Sequence, residues 1–204
     1  MTEALWNAAE IANATAGIVS GNWAVDSISI DSRSISPGAL FIALKGPNFD
    51  GHDYVTAAFK AGAAGAMIDR RPDRIAADAP VVQVDDTMAG LAALGTASRD
   101  RTSARIVAVT GSVGKTGTKE ALRAALSVQG PTAASESSFN NHWGVPLSLA
   151  QMDRDSAYGV FEIGMNHPGE IAPLSRMVRP EVSIITTVAP AHIEFFDSIE
   201  QIAD

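Results

Sequence analysis

The sequence predicts an α/β protein in two parts, a small α/β unit over residues 1–103 and a domain with a mainly parallel sheet over residues 104–204. Short apolar segments alternate with alanine-rich helical segments in both parts, as strands do when helices on the faces of a sheet connect them. The polar stretch 100–103 separates the parts, and we expect a linker there. After Arg105 the alternating segments become longer, which indicates a change of domain.

In the first part, we expect helices over residues 5–16, 53–61 and 87–99 and strands over residues 27–30, 39–44, 66–68 and 81–84. The alternation of serine and isoleucine in 27–30 favours a half-buried strand, whereas 39–44 is apolar throughout and favours a buried one. Gly17 is the expected C-cap of the first helix, because glycine adopts the left-handed conformation without a steric penalty.

In the second part, the patterns predict strands over 106–109, 158–163 and 182–188, and helices over 116–128, from about Val145 and over 169–178. Ser198 and Gln201 form a capping box that predicts the start of one more helix. Little more than one helical turn follows it, and so short a helix gains little stability by itself. We therefore expect the chain to be part of a longer protein.

The composition excludes several classes of protein. The net charge is −8 and the 15 basic residues form no evident cluster, which argues against nucleic acid as a partner. The absence of cysteine excludes disulfides and thiolate metal sites and suits a reducing compartment, so we expect a cytoplasmic location. No apolar run is long enough to span a membrane, and the acidic N-terminus does not resemble a secretory signal.

A strand, a glycine turn and a helix come together at residues 105–120. Glycines let backbone N–H groups close on phosphates, Lys115 can span the outer phosphates, and the Thr116 hydroxyl can ligate Mg²⁺. The pattern indicates a P-loop for ATP or GTP, although Val109 stands where the common pattern has its first glycine. A solvated turn is the alternative. The residues predicted to bind the nucleotide are Gly111, Ser112, Val113, Gly114, Lys115, Thr116 and Gly117.

Two ionisable side chains follow later strands of the same predicted sheet. Glu162 ends the apolar strand 158–163, at the edge where a parallel sheet would place the P-loop. A buried carboxylate is costly unless it pairs or binds a metal, so Glu162 and Thr116 are candidate Mg²⁺ ligands. A glutamate that caps a turn is the alternative. His192 follows the strand 182–188, and a metal ligand and a structural histidine are equally good interpretations of it.

Polar loops supply further candidates. Asn140 and Asn141 precede a helix and can contact nucleotide phosphate or a polar substrate, although an ordinary polar loop has the same composition. In the first part, Arg33 and Lys45 can hold a diphosphate, and Ser32 or Asn48 can hydrogen-bond a base. Solvated turns explain these four residues equally well.

Taken together, these motifs resemble the Mur ligases, the ATP-dependent amide-forming enzymes of peptidoglycan synthesis. Residues 110–116 resemble the phosphate loop of the family, which also lacks the first glycine. Residues 139–147 resemble its asparagine–glycine–proline segment, and 162–171 and 187–192 its magnesium-site segments. Residues 31–41 and 50–52 are similar to a UDP-binding domain of the family. Ser138 and Gly117 depart from the pattern, since asparagine and threonine are frequent there.

Within the family, the resemblance is closest to the member that joins D-Ala-D-Ala to UDP-N-acetylmuramoyl-tripeptide. It implies that ATP phosphorylates the tripeptide carboxylate and that the D-Ala-D-Ala amine then attacks. The implied catalytic residues are Lys115, Glu162 and His192, with Thr116 and Glu162 on one Mg²⁺ and His192 on a second.

The resemblance also implies that the family's carbamylated lysine and C-terminal domain lie beyond Asp204. We therefore expect the 204-residue chain not to turn over by itself, and we expect a monomer. Open alternatives are the Mur ligase that adds the third peptide residue and a non-catalytic UDP-sugar-binding module. A P-loop GTPase or kinase fits less well, because the chain has no Asn-Lys-x-Asp sequence for guanine.

Overall fold

The computed structural model describes residues 4–136, 139–191, 195 and 198–203. The chain divides into two compact units, Met1–Ala97 and Ser98–Asp204. Both are built from strands and helices, so the predicted α/β class is confirmed. Among the described residues, no helix has the length and apolar character needed to span a membrane.

The first unit has a five-stranded sheet with helices packed on it. Its elements, in chain order, are β1 (Trp6–Asn7), α1 (Ala8–Thr15), β2 (Ile18–Val19), β3 (Ala24–Val25), β4 (Ser27–Ser29), β5 (Ala39–Ile42), β6 (Lys45–Gly46), β7 (Phe49–Asp50), a 3-10 helix (Gly51–Tyr54), α2 (Val55–Lys60), β8 (Gly65–Ile68), β9 (Val81–Gln83) and α3 (Thr87–Arg101), which continues into the second unit.

The sheet of the first unit has the strand order β2-β9-β8-β5-β4. The last four of these strands are parallel, and β2 is antiparallel to β9. Apolar side chains of β5, β8 and α2 form a buried core, including Phe41, Val55 and Ile68. Since parallel strands end at the same edge, the segments that follow β4, β5 and β8 lie along one edge of the sheet.

The first helix differs from the prediction at both ends. Residues 5–7 are not helical, because Trp6 and Asn7 pair with β3 and Asn7 caps the helix. Asn7 Oδ1 accepts from the Glu10 N–H and Glu10 Oε2 accepts from the Asn7 N–H, both at 2.9 Å, which forms a capping box. At the other end Ala16, not Gly17, is left-handed, with φ of 54°. Gly17 is needed for space instead, since a Cβ there would lie 2.6 Å from a methyl of Val82.

The predicted linker at residues 100–103 begins inside a helix. α3 continues to Arg101, two residues beyond the predicted end at Arg99. Arg99 donates to the carbonyl oxygens of Val178 and Arg179, at 2.8 and 2.9 Å, and Asp100 pairs with Arg179. These contacts hold the last turn of the helix in place, and polar composition alone does not reveal them.

The second unit has a four-stranded parallel sheet, as predicted for this domain. Its further elements are β10 (Arg105–Thr110), α4 (Lys115–Ser127), β11 (Thr132–Ala134), α5 (Gly144–Ala150), β12 (Tyr158–Glu162), α6 (Ile171–Val178), β13 (Val182–Ile185) and α7 (Ile199–Ala203). The strand order is β11-β12-β10-β13. The core includes Ile106, Phe161 and Leu174. At α7, the Gln201 N–H donates to Ser198 Oγ at 3.2 Å, which is one half of the predicted capping box.

Candidate nucleotide and metal site

The candidate site lies at the C-terminal ends of β10 and β12, two neighbouring parallel strands. Val109 of β10 is in register with Glu162 of β12, and the Ile163 N–H donates to the Val109 carbonyl at 2.9 Å. The loop 111–114 follows β10 directly and leads into α4. The parallel pairing therefore brings Glu162 beside the loop that ends at Lys115, as the sequence predicts.

The conformation of the loop requires glycine at two positions. Gly111 and Gly114 have φ of 124° and 91°, values that other residues rarely adopt. A Cβ on Gly111 would also lie 2.3 Å from Thr186 Oγ1. The Thr186 hydroxyl contacts the carbonyl oxygen of Val113 at 2.6 Å, so the residue after β13 supports the turn.

The loop is tied to the segment after β13 by three further hydrogen bonds. The Ser112 N–H donates to the Thr187 carbonyl at 2.8 Å, the Ser112 hydroxyl donates to the Ala189 carbonyl at 2.9 Å, and the Ala189 N–H donates to Ser112 Oγ at 3.0 Å. This segment leads towards His192, which lies outside the described residues. The predicted metal role of His192 therefore stays a prediction.

Lys115 is folded over the loop. Its Nζ donates to the Gly111 carbonyl at 2.6 Å. This contact holds the ammonium group against the backbone turn whose N–H groups are suited to phosphate. The Lys115 ammonium is therefore already positioned at the loop before a phosphate binds there.

Glu162 is a buried carboxylate, with 3% of the residue exposed. Oε2 accepts from the Thr116 hydroxyl at 2.9 Å and Oε1 accepts from the Asn140 amide at 2.7 Å. The Glu162 N–H donates to Ser135 Oγ at 3.0 Å. Both donors to the carboxylate are neutral, so they offset only part of the cost of burying its charge.

The spacing of two of these oxygens suits Mg²⁺. Neighbouring oxygens of an octahedron with Mg–O distances of about 2.1 Å lie about 2.9 Å apart. Thr116 Oγ1 and Glu162 Oε2 are separated by 2.9 Å. The described residues contain no group of three or more histidine and acidic side chains able to hold a metal. Two protein oxygens are nevertheless enough for Mg²⁺, which usually keeps several waters and phosphate oxygens as ligands.

A cavity of about 470 Å³ opens over this arrangement, and its lining comprises Ser112, Gly114, Lys115, Thr116, Gly117, Asn140 and Glu162. Its volume is in the range of small-molecule sites. Nothing lies within 4 Å of a Cβ added to Gly117, so the backbone does not require glycine there for space.

Three predicted nucleotide contacts do not line this cavity. Asn141 Oδ1 accepts from the N–H of Gly144, the first residue of α5, at 2.9 Å. Val113 is 64% exposed at the tip of the loop. Gly111 lines a second cavity of about 510 Å³, which adjoins the same loop and includes Ile171 and Ile185. Lys115 borders both cavities.

The four predicted substrate residues share one edge of the first unit's sheet. Ser32 and Arg33 follow β4, Lys45 begins β6, and Asn48 lies in the turn between β6 and β7. The topology therefore places them where ligands of parallel sheets gather.

Both cations of this group are already paired with carboxylates. Arg33 Nη2 lies 2.6 Å from Asp31 Oδ2, and Lys45 Nζ lies 2.8 Å from Asp69 Oδ2. The hydrogen bond from Arg33 lowers the pKa of Asp31 to about 2. A diphosphate at this edge would have to share these cations with their carboxylates.

Sequence reasoning missed a buried histidine at the same edge. The His52 side chain is fully buried, with Nδ1 2.6 Å from Asp50 Oδ1 and Nε2 3.1 Å from the backbone nitrogen of Asp69. The ring lies between two carboxylates, because Asp69 Oδ1 is also 3.3 Å from Nε2. The sequence Asp50-Gly-His52 could have drawn attention to this histidine. Its burial could not be predicted, because nothing in a loop sequence distinguishes a buried histidine from an exposed one.

Asp50 should make the stability of the first unit depend on pH. Burial opposes its ionisation, but hydrogen bonds from His52 and Arg70 outweigh this and hold the pKa of Asp50 well below its usual value. A lowered folded-state pKa stabilises the fold above the unfolded-state pKa, near 4, and the contribution is lost as the pH falls further.

We expect Asp50→Asn to lower the free energy of unfolding by about 2 kcal/mol at pH 7 and to flatten the acid side of the pH profile, because hydrogen bonds to a charged group are lost. Urea unfolding between pH 2 and 7 measures both effects. Asp78→Asn, at an exposed site, is the control. Equal pH profiles for wild type and Asp50→Asn would contradict the assignment.

Comparison with known proteins agrees with this geometry. The family model described as the Mur ligase middle domain matches residues 109–204, and the model described as the Mur ligase family, catalytic domain, matches residues 24–99. A Rickettsia prowazekii protein named UDP-N-acetylmuramoyl-tripeptide--D-alanyl-D-alanine ligase is 36% identical over 200 residues, 98% of this chain and 44% of that protein. The Escherichia coli (strain K12) protein of that name is 42% identical over 179 residues, 88% of this chain and 39% of its own length.

Solved structures are similar as well. MurF from Acinetobacter baumannii superposes with a TM-score of 0.84 at 34% identity, covering 97% of this chain and 44% of the other. MurF ligase from Thermotoga maritima in complex with ADP gives a TM-score of 0.72 at 31% identity, over 87% of this chain and 41% of the other. The chain thus spans less than half the length of these relatives. With both family models matched and the phosphate loop and Glu162 at one sheet edge, the chain belongs to the Mur ligase family.

Proposed function

We propose that this chain is the N-terminal and middle part of an ATP-dependent ligase of peptidoglycan precursor synthesis, which joins D-Ala-D-Ala to UDP-N-acetylmuramoyl-tripeptide. One observation carries the proposal: Lys115, Thr116 and Glu162 converge around one cavity at the edge of the parallel sheet. The names of the relatives that match nearly the whole chain support the choice of substrates.

The chemistry is a phosphoryl transfer followed by an acyl transfer. A carboxylate oxygen of the tripeptide attacks the γ-phosphorus of ATP, and ADP leaves to give an acyl phosphate. The amine of D-Ala-D-Ala attacks the acyl carbon, loses a proton, and displaces inorganic phosphate to form the amide. Catalysis of the first step is mainly positioning and electrostatic stabilisation of charge on the transferring group.

The loop and four side chains of the cavity have roles in this scheme. The N–H groups of the loop other than that of Ser112, which donates to the Thr187 carbonyl, would bind the phosphates together with the Lys115 ammonium. Thr116 and Glu162 would hold one Mg²⁺, and His192 would hold a second. Bound Mg²⁺ supplies positive charge beside the phosphate oxygens. Asn140 fixes the other carboxylate oxygen of Glu162.

We assign the substrate nucleotide to the first domain, residues 1–103, and ATP to the second, residues 104–204. Arg33 and Lys45 would contact the diphosphate of the UDP group, and Ser32 or Asn48 would hydrogen-bond its base. The shared edge of the sheet supports this placement. A cytoplasmic location is consistent with the lack of cysteine.

Separate titrations with ATP and UDP test the proposal by calorimetry. Binding is a better readout than turnover, because the chain spans less than half the length of its relatives. We expect ATP to bind more tightly with Mg²⁺ than with EDTA, and UDP to bind equally in both. Saturable UDP binding without any ATP binding would favour a non-catalytic UDP-sugar-binding module. If the full-length protein accepted a free amino acid rather than D-Ala-D-Ala, it would be the Mur ligase that adds the third peptide residue.

A further inference from the structure

Helix α4, which follows the phosphate loop, buries a lysine. All thirteen residues of α4 are described, and Lys119 is the one that is buried, with none of its side chain exposed. It lies one helical turn after Lys115, on the same side of the helix. Burying an ammonium group costs several kcal/mol in lost hydration, whereas methionine would fill a similar volume without that cost. Stability alone therefore gives little reason for a lysine here.

Within the part of the chain that the structure describes, two groups contact the Lys119 ammonium. Its Nζ donates to the Ser135 carbonyl at 2.6 Å and lies 3.0 Å from Glu120 Oε1. The Glu120 side chain is 43% exposed and also pairs with Arg123, so it is a solvated partner at the rim. The interior contact is the one with Ser135.

Ser135 connects this ammonium to the candidate metal ligand. Ser135 is itself buried, with 2% exposed, and directly follows β11. Its N–H donates to the Val160 carbonyl at 3.1 Å, and its hydroxyl oxygen accepts from the Glu162 N–H at 3.0 Å. Ser135 thus accepts from the Lys119 ammonium with its carbonyl oxygen and from the Glu162 N–H with its hydroxyl oxygen.

We propose that Lys119 is a positioning residue for Glu162, acting through Ser135. The ammonium holds Ser135 in place, Ser135 holds the Glu162 backbone, and the carboxylate is thereby aimed at the Thr116 hydroxyl. The inference rests on the proposed function, because it assigns Lys119 to the Mg²⁺ side of the site. It goes further because it makes the affinity for Mg²⁺ depend on a side chain that contacts neither the nucleotide nor the metal. Groups that orient a metal ligand from behind commonly change metal affinity by about 10–100-fold when removed.

The test compares ATP affinity with Mg²⁺ and with EDTA in wild type, Lys119→Met and Ser135→Ala. In Lys119→Met we expect the gain in affinity from Mg²⁺ to fall about tenfold, while the affinity in EDTA stays within about twofold. Ser135→Ala removes the acceptor for the Glu162 N–H and should act in the same direction. Both substitutions interrupt the same connection from Lys119 through Ser135 to Glu162. The double variant should therefore lose little more of the gain in ATP affinity from Mg²⁺ than Lys119→Met does alone. Lys60→Met, the same substitution at an exposed site, is the control.

Amide hydrogen exchange gives a second readout that needs no nucleotide. The Glu162 amide should exchange faster in Lys119→Met than in wild type and be unchanged in Lys60→Met. Equal losses of ATP affinity with Mg²⁺ and with EDTA would overturn the inference, since they would show general damage to α4. Unchanged Mg²⁺ dependence in both single variants, or unchanged exchange of the Glu162 amide, would also overturn it. A wild-type chain whose ATP affinity ignores Mg²⁺ would instead contradict the proposed function itself.

Discussion

Lys115→Met is expected to weaken ATP binding about 100-fold, because the loss of a strong charge-assisted hydrogen bond to a phosphate oxygen costs about 2.7 kcal/mol. The Lys115 ammonium already lies 2.6 Å from the Gly111 carbonyl, so it is positioned over the loop before any phosphate arrives. Calorimetric titration with ATP and Mg²⁺ measures the loss. UDP affinity should not change, since the predicted UDP residues belong to the first domain.

Lys60→Met is the matched control for this variant, because it removes the same charge from an exposed position on α2. It should bind ATP as wild type does. Unchanged ATP affinity in Lys115→Met, or an equal loss in Lys60→Met, would show that the loop is not the phosphate site.

Glu162→Gln is expected to remove most of the effect of Mg²⁺ on ATP binding, a loss of about 10-fold or more in the presence of the metal. Glutamine keeps the size of the side chain but replaces an anionic ligand with a neutral amide. In EDTA the variant should bind ATP at least as well as wild type, because a negative charge close to the phosphates is gone. A metal ligand therefore predicts that ATP affinity falls with Mg²⁺ but not in EDTA, whereas a purely structural residue predicts a loss under both conditions.

The control for Glu162→Gln is Glu136→Gln, which removes an exposed carboxylate from the same unit. Its ATP affinity should respond to Mg²⁺ as that of wild type does. If Glu162→Gln lost equal affinity with and without Mg²⁺, Glu162 would be a structural glutamate that supports the loop, the alternative that the sequence leaves open.

The sequence predicts that Lys115, Thr116 and Glu162 share one edge of the sheet, because parallel strands end at the same edge. The direct pairing of β10 with β12, which makes these residues neighbours, is a contact between distant segments that the structure adds. The contact between Thr116 and Glu162 confirms that expectation for the geometry.

Other features depend on contacts between distant segments, which a local pattern does not contain. β11 has three half-buried residues with no apolar alternation, and it becomes a strand only because β12 lies beside it. The burial of Lys119 depends on Ser135, sixteen residues away, and that of His52 on Asp69, seventeen away. The nucleotide contact expected of Asn141 stays a prediction, and its Oδ1 accepts from the N–H groups of Trp143 and Gly144 at the start of α5, at 3.3 and 2.9 Å.

The most direct test of the central claim is a crystal structure of the chain with Mg²⁺ and a non-hydrolysable ATP analogue. We expect the β- and γ-phosphates in the loop 111–114, Lys115 Nζ on their oxygens, and Mg²⁺ about 2.1 Å from both Thr116 Oγ1 and one Glu162 oxygen. Phosphates bound away from the loop, or a metal that Glu162 does not ligate, would contradict the account.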